Sequence, residues 1–275
     1  LSRTGNSSTH TCMHTPSTFY SEQYYLTACE GYDAFAAESG KEVISPRLAA
    51  ALRLVEVKPG ERVLDVGCGR GEAVLHIARN GGVVHGVDYS SDALRIARRY
   101  LGAGKREHQS QNIYLLQSDA KRLPFKDSSF DKLLMFDLIE HLYPWELAKA
   151  LREAHRVLVP GGQLFIHTAP NRWYYQFGYP LYRIFERLRG GHLPSDPKSR
   201  FPFHYLHVNE QDVIRLRRSL RQAGFDCRVW LDNIQPVLFF NRSPRLSLIL
   251  FRLLRTYPLR WIFCNDIFAI ACKGK

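Results

Sequence analysis

Three glycines at alternate positions follow directly on an apolar run in Val63-Leu64-Asp65-Val66-Gly67-Cys68-Gly69-Arg70-Gly71. Glycine there lets the backbone turn sharply and lets a ligand approach with no Cβ in the way. A helix that starts just after the loop offers free N–H groups to a carboxylate or phosphate. Asp88 ends the next apolar run, 21 residues after Gly67. A carboxylate in that place can accept hydrogen bonds from both hydroxyls of a ribose. Asp119, with Ala120 beside it, ends a third run, where its side chain can accept from an adenine amino group. Three successive run ends therefore carry groups suited to a nucleoside-bearing ligand. The spacing departs from the dinucleotide fingerprint, because the third glycine comes one residue early.

These groups need strands that end on one edge. Arg62–Val66, Val83–Val87, Ile113–Gln117, Lys132–Phe136 and Gln163–Ala169 read as strands, alternating with helical stretches near Glu72–Asn80, Ser91–Leu101 and Trp145–Val159. Such alternation predicts a doubly wound α/β sheet, mostly parallel and covered on both faces. An earlier helix is expected from Ser45, with Pro46 in its first turn, to about Val55. A short aromatic segment, Phe19–Thr27, precedes it. After Ala169 the alternation breaks. A helix is expected over Pro180–Arg189, another capped by Asn209 and running to about Ala223, and final strands at Cys227–Leu231 and Asp266–Cys272. Residues 1–18, rich in Ser, Thr and His, read as a disordered tail, and 19–275 as a single domain with insertions at 171–206 and 233–265.

The chain has 275 residues and a net charge of +12. Residues 1–170 carry 20 Lys/Arg against 19 Asp/Glu, and residues 171–275 carry 18 against 7. The excess of +11 in the second part suits nucleic acid, anionic lipid or an acidic small molecule. The six cysteines form no C-x-x-C pair. Reduced thiols in a cytoplasmic setting are expected, and no structural zinc.

The segment 62–170 resembles the class I S-adenosylmethionine-dependent methyltransferases of the type 11 group, and among them the ubiquinone-biosynthesis O-methyltransferases. The resemblance rests on Asp65-x-Gly67-x-Gly69-x-Gly71, Asp88-Tyr89, Ser118-Asp119-Ala120 and Leu123-Pro124-Phe125. Phe130-Asp131, Glu140-His141, Leu158-Val159-Pro160-Gly161-Gly162 and Ala223-Gly224-Phe225 complete it. It implies a seven-stranded Rossmann-like sheet with its last strand antiparallel, and S-adenosylmethionine as cofactor. It implies that Asp65, Gly67, Cys68, Gly69 and Gly71 form the cofactor loop, that Asp88 holds the ribose and that Tyr89 flanks the adenine. Asp119 and Ala120 would meet the adenine edge. Arg47 would reach the cofactor carboxylate, and Phe136 and Asp137 the methionine end.

Transfer of a methyl group from a sulfonium is an in-line displacement, so alignment is the main demand on the protein. A hydroxyl acceptor also gains from a general base. His141, His167, His204 and His207 are candidates, with His141 the first choice because it follows the fourth strand. A small-molecule or lipid-linked acceptor methylated at oxygen is expected. An RNA acceptor, or a binding protein without catalysis, is the alternative. Asp137-Leu138-Ile139-Glu140 stands where enzymes that methylate exocyclic base nitrogens carry Asn/Asp-Pro-Pro-aromatic, which argues against that chemistry. Asp137-x-x-Glu140-His141 is similar to the Glu-x-x-Glu-His of some magnesium-using relatives, with His204 available to complete a site, yet no metal is expected. Leu181, Ile184, Phe185 and Leu188 form an apolar stripe, as do Leu246, Leu250, Leu253 and Tyr257, each with arginines on another face. The stripes are expected to pack on the sheet as a lid; the alternative is peripheral membrane contact. Nothing in the pattern sets an oligomeric state.

Overall fold

The computed structural model describes residues 14–29, 31, 44–103, 112–200, 203–234, 249 and 252–274. Seven strands, β1 (Arg62–Val66), β2 (Val83–Asp88), β3 (Ile113–Gln117), β4 (Phe130–Phe136), β5 (Leu158–Thr168), β6 (Phe225–Asp232) and β7 (Asp266–Lys273), form one sheet in the order β3-β2-β1-β4-β5-β7-β6. β1 pairs in parallel with β2 on one side and β4 on the other, while β7 runs antiparallel between β5 and β6. The central strands are apolar on both faces because helices cover both, and Val63, Leu64, Leu133, Leu134 and Met135 are fully buried. The strand order reverses between β1 and β4, and a ligand crevice opens at the carboxyl ends of the strands at such a point.

The helices are α1 (Glu22–Thr27), α2 (Pro46–Leu52), α3 (Glu72–Arg79), α4 (Ser91–Ala103), α5 (Pro144–Val157), α6 (Tyr179–Leu188), α7 (Val213–Gln222) and α8 (Arg260–Phe263). Ser45 caps α2 through its side chain, which accepts from the Leu48 N–H at 3.2 Å. Glu146 closes the first turn of α5 by accepting from the Tyr143 N–H at 3.0 Å. By contrast, α3 has no side-chain cap, and its first N–H groups follow directly on the glycine loop.

Three expectations are corrected. α7 begins at Val213, because Asp212 is extended (φ −132°) and its carboxylate accepts from the Arg215 N–H at 2.9 Å. The Asn209 N–H is instead engaged by the Glu140 carbonyl at 3.0 Å. β5 starts at Leu158, since Phe130 pairs with Leu158 and Lys132 with Gln163, so a register shift absorbs the Pro-Gly-Gly segment within the strand. Within residues 14–18, expected in the tail, the Thr15 carbonyl accepts from the hydroxyl of Tyr89, just past β2, at 2.6 Å, and Ser17 opens a 3₁₀ turn. Residues 1–13 are outside the described part.

Three of the four residues of the α6 stripe face outward, and Phe185 is half-buried. Leu181, Ile184 and Leu188 are 50%, 59% and 83% exposed, and the helix buries Tyr179 instead. A π-helical turn, Tyr174–Gly178, leads into α6. The extra residue in such a turn rotates the following face by roughly 100°. The two insertions are joined. Trp173 stacks on Trp261 with ring centres 5.1 Å apart, and Asn171 Nδ2 donates to the carbonyls of Trp261 and Cys264 at 3.0 and 2.8 Å. At Gly178 a Cβ would fall 1.9 Å from the Ile262 carbonyl oxygen, so only glycine allows this approach. In the second stripe Leu246 and Leu250 lie outside the described residues, while Leu253 and Tyr257 are exposed.

Candidate active site

β1 runs into Gly67, which takes the left-handed conformation (φ +79°) and whose N–H bonds the Val87 carbonyl at 2.8 Å. A Cβ there would press to 3.0 Å on Leu138. The bend is tied to the next strand end. The Gly69 N–H donates to Asp88 Oδ2 at 3.0 Å and the Ser90 N–H to Asp88 Oδ1 at 2.9 Å. Burial raises the Asp88 carboxyl to about 6 against the pull of these backbone donors. Asp65, buried behind it, is pushed up to about 7 by burial and by the charges of Asp88 and Glu72. The Cys68 thiol is raised by burial and lies beside the same carboxylates, which removes it as a nucleophile.

A cavity of about 610 Å³ opens at the strand ends, within the range of about 300–1,000 Å³ usual for small-molecule sites. Arg47, Asp65, Gly67, Cys68, Gly69, Asp88, Tyr89, Asp119, Ala120, Phe136, Asp137 and His141 all line it. Gly71 does not. It turns the chain into α3, and a Cβ on it would meet Ala97 at 3.3 Å. Asp119 spends one oxygen on its own turn, accepting from the Lys121 N–H at 2.9 Å, and the other on Lys121 Nζ at 3.0 Å.

Beyond β4, Asp137 holds a left-handed backbone (φ +48°), and its Oδ1 lies 2.7 Å from Nδ1 of the buried His167. His167 Nε2 is 3.2 Å from Asp266 Oδ1, and Asp266 in turn pairs with Arg47 Nε at 3.2 Å. Burial disfavours the imidazolium, but the charge of Asp137 and both hydrogen bonds outweigh it and raise His167 to about 9. Burial likewise disfavours the Asp137 carboxylate, yet the His167 charge and hydrogen bond, then Arg47, bring it down to about 2. His167 is therefore a charged strut between two carboxylates and not a base. Glu140, fully buried, is raised to about 8 by burial and the Asp137 charge, and accepts from the Thr168 hydroxyl at 2.8 Å.

His141 is different. Burial and the neighbouring His207 lower it to about 3. Its Nδ1 lies 3.2 Å from the Leu206 carbonyl, which places the proton on Nδ1 and leaves Nε2 a lone pair. Glu140, His141 and His207 offer ligand atoms that all lie within 4.8 Å of one another, the one such set among the described residues. His207 takes the place anticipated for His204, and Asp137, bonded to His167, is not in the set.

The N-terminal segment was not foreseen as part of the site. Tyr20, Tyr24 and Tyr25 line the cavity. Ser90 Oγ donates to the Tyr20 carbonyl at 2.6 Å, Arg70 Nη1 to the Tyr25 carbonyl at 3.3 Å, and Arg95 pairs with Glu22 at 3.1 Å. Tyr20 and Tyr24 set their rings edge-on to His141 at 5.5 and 6.4 Å. The cluster of aromatics at 19–25 was the only sign in the sequence.

A glycine bend after β1, a carboxylate after β2 and a reversed last strand define the Rossmann-like class that binds nucleoside cofactors. The methyltransferase domain family matches residues 64–166. Demethylmenaquinone methyltransferase of Tropheryma whipplei is 35% identical over 190 residues, 66% of this chain and 73% of that protein. Fatty-acid O-methyltransferase of Mycolicibacterium smegmatis is 38% identical over 111 residues, 40% of this chain and 37% of that protein. The structure of phosphoethanolamine N-methyltransferase 2 of Haemonchus contortus in complex with S-adenosyl-L-methionine has a TM-score of 0.60 at 20% identity, covering 92% of this chain and 60% of that one. The chain belongs to the class I S-adenosylmethionine-dependent methyltransferases. S-adenosylmethionine is its cofactor, and the relatives imply a small-molecule acceptor.

Proposed function

We propose that the enzyme methylates an oxygen of a small-molecule or lipid-linked acceptor, with His141 as general base, and that it works in the cytoplasm at the membrane surface. The observation that carries this reading is His141: a neutral imidazole on the cavity wall, its tautomer set by the Leu206 carbonyl and its Nε2 lone pair available. The relatives named above act on a quinone precursor, a fatty acid and a phosphorylated amine, so the fold does not choose the atom.

The residues present fit the cofactor. Asp88, which accepts from the Gly69 and Ser90 N–H groups and from the Tyr25 hydroxyl, is assigned to the ribose. Gly67, Cys68 and Gly69 are assigned to the methionine and ribose, Tyr89 to the adenine face, and Ala120 with Asp119 to its edge. Arg47 is assigned to the carboxylate and Asp137, with Phe136, to the methionine end. When bound, the cofactor supplies a methyl group on a positively charged sulfur. His141 would take the hydroxyl proton at Nε2 as that oxygen accepts the methyl group. A base lowered to about 3 is weak but unprotonated at every working pH, so its contribution leans on position.

The test is a transfer assay with labelled S-adenosylmethionine against isoprenoid quinols, fatty acids and phosphorylated amines. Labelling at a quinol or carboxyl oxygen is expected. Transfer confined to the amines would overturn the oxygen assignment.

A further inference from the structure

We infer that α6 is an interfacial helix whose outward apolar face docks on an anionic phospholipid bilayer. This names the partner of the lipid-linked acceptor reading and rests on it for purpose, but not for geometry. Leu181, Ile184 and Leu188 fall at i, i+3 and i+7, on one face, and that face is the exposed one. A helix that belongs only to a packed core turns such a stripe inward; here Tyr179 is the buried side chain, its hydroxyl bonded to the Pro194 carbonyl at 2.9 Å. Arg183 and Arg187 lie roughly 100° around the helix from the stripe, where long stems can run along lipid while the guanidinium groups reach the head-group level. Glu186 sits on the opposite side and pairs with Arg189 at 3.3 Å.

Two further observations bear on the occupant. The stacked Trp173 and Trp261 and the close approach at Gly178 join α6 to the second insertion, so exposed Leu253 and Tyr257 belong to the same body. Residues 171–275 carry 18 Lys/Arg against 7 Asp/Glu, whereas residues 1–170 are nearly balanced at 20 against 19. A second copy of the chain would set this positive surface against itself. An anionic bilayer supplies an apolar layer and negative head groups together. No helix among the described residues is long and apolar enough to cross a membrane, so α6 lies along the surface. The insertion that carries the stripe also lines the cavity with Tyr175 and Lys198, which joins the lipid surface to the acceptor side.

Flotation of the full chain with vesicles of phosphatidylcholine alone, or with added phosphatidylglycerol, tests the inference. Binding is expected to the phosphatidylglycerol vesicles at low salt and to fall as salt rises. The triple substitution Leu181→Ser, Ile184→Ser and Leu188→Ser should weaken partitioning at least about tenfold, with S-adenosylmethionine binding by calorimetry unchanged because all three side chains are exposed. Arg183→Gln with Arg187→Gln should reduce the preference for phosphatidylglycerol. Absence of flotation at low salt, or equal flotation of the serine variant, overturns the inference. So does a dimer that the serine variant dissolves without any vesicle binding, which would assign the stripe to a second copy. Vesicle binding without methylation of any lipid-linked acceptor would instead sink the acceptor reading and leave the docking face standing.

Discussion

At the end of the cavity proposed for the cofactor, the groups come from three successive strand ends between Asp65 and Ala120, held by bonds within one loop or between neighbouring ones. At the end proposed for the acceptor, His141 follows β4, while Tyr20 and Tyr24 come from the N-terminal segment and His207 from beyond the first insertion. The cofactor end is shaped chiefly by backbone conformation, with φ values of +79° at Gly67 and +50° at Gly69. The acceptor end is shaped by side chains brought together from far along the chain. A cofactor shared by a whole family calls for the first kind of construction, and acceptors that differ between relatives allow the second.

The largest expected effect lies at the acceptor end. His141→Gln should lower kcat by about 10²–10⁴-fold and leave cofactor affinity in place. The wild-type rate should show no break near pH 6.5, since His141 is lowered to about 3. Rates measured across pH 5–8 for both proteins check this, and a loss of cofactor binding in the variant would merge the two ends into one. At the cofactor end, Asp88→Ala should weaken S-adenosylmethionine binding by about 2–3 kcal/mol, the loss of charge-assisted hydrogen bonds. Because Asp88 is raised to about 6, wild-type affinity should also fall as pH drops through that value; calorimetry on either side of it gives the answer.

His167 lies between the two ends and titrates in the opposite sense. Its folded value of about 9 exceeds the ordinary 6.5, so its contribution to stability is complete below pH 6.5 and is lost as pH rises through 9. Thermal melts should fall over pH 7–10, with Asp137, Asp266 and Arg47 the charged groups facing the ring. His167→Gln should flatten that slope, and parallel slopes would remove the strut. The smallest effect is expected from metal removal. Exhaustive chelation should leave methyl transfer unchanged; a loss restored by a divalent cation would give Glu140, His141 and His207 a ligand role in place of the base.

The same contrast explains what could be read in advance. Arg62–Val66 and Ile113–Gln117 were legible to the residue: β1, buried beyond Arg62, is an apolar run that stops at a glycine, and β3, a partly exposed edge strand, is an apolar run between polar residues. Arg47, Asp88 and His141 line the cavity. The outward face of α6 was not legible, since the stripe is the same whichever way it points, and the π-helical turn that sets its direction has no spacing signature. Nor was the covering of the site by Tyr20 and Tyr24. Those bonds span about 70 residues, as from Ser90 to Tyr20, and depend on the fold being complete. His167 looked like a candidate base because sequence gives its type and strand but not the two carboxylates around it.

The aromatic segment over the cavity has a thermodynamic consequence of its own. Residues 14–27 join no strand of the sheet; they are fastened by the Thr15, Tyr20 and Tyr25 carbonyls and by Glu22 against Arg95 and Arg99. Such a fastening releases by local unfolding, with a free energy well below that of the whole domain. Whatever fills the cavity beneath it makes that release rarer by mass action. Cleavage of the chain near α1 by an added protease therefore becomes a gauge of occupancy, slowing in proportion to the fraction of enzyme that holds cofactor.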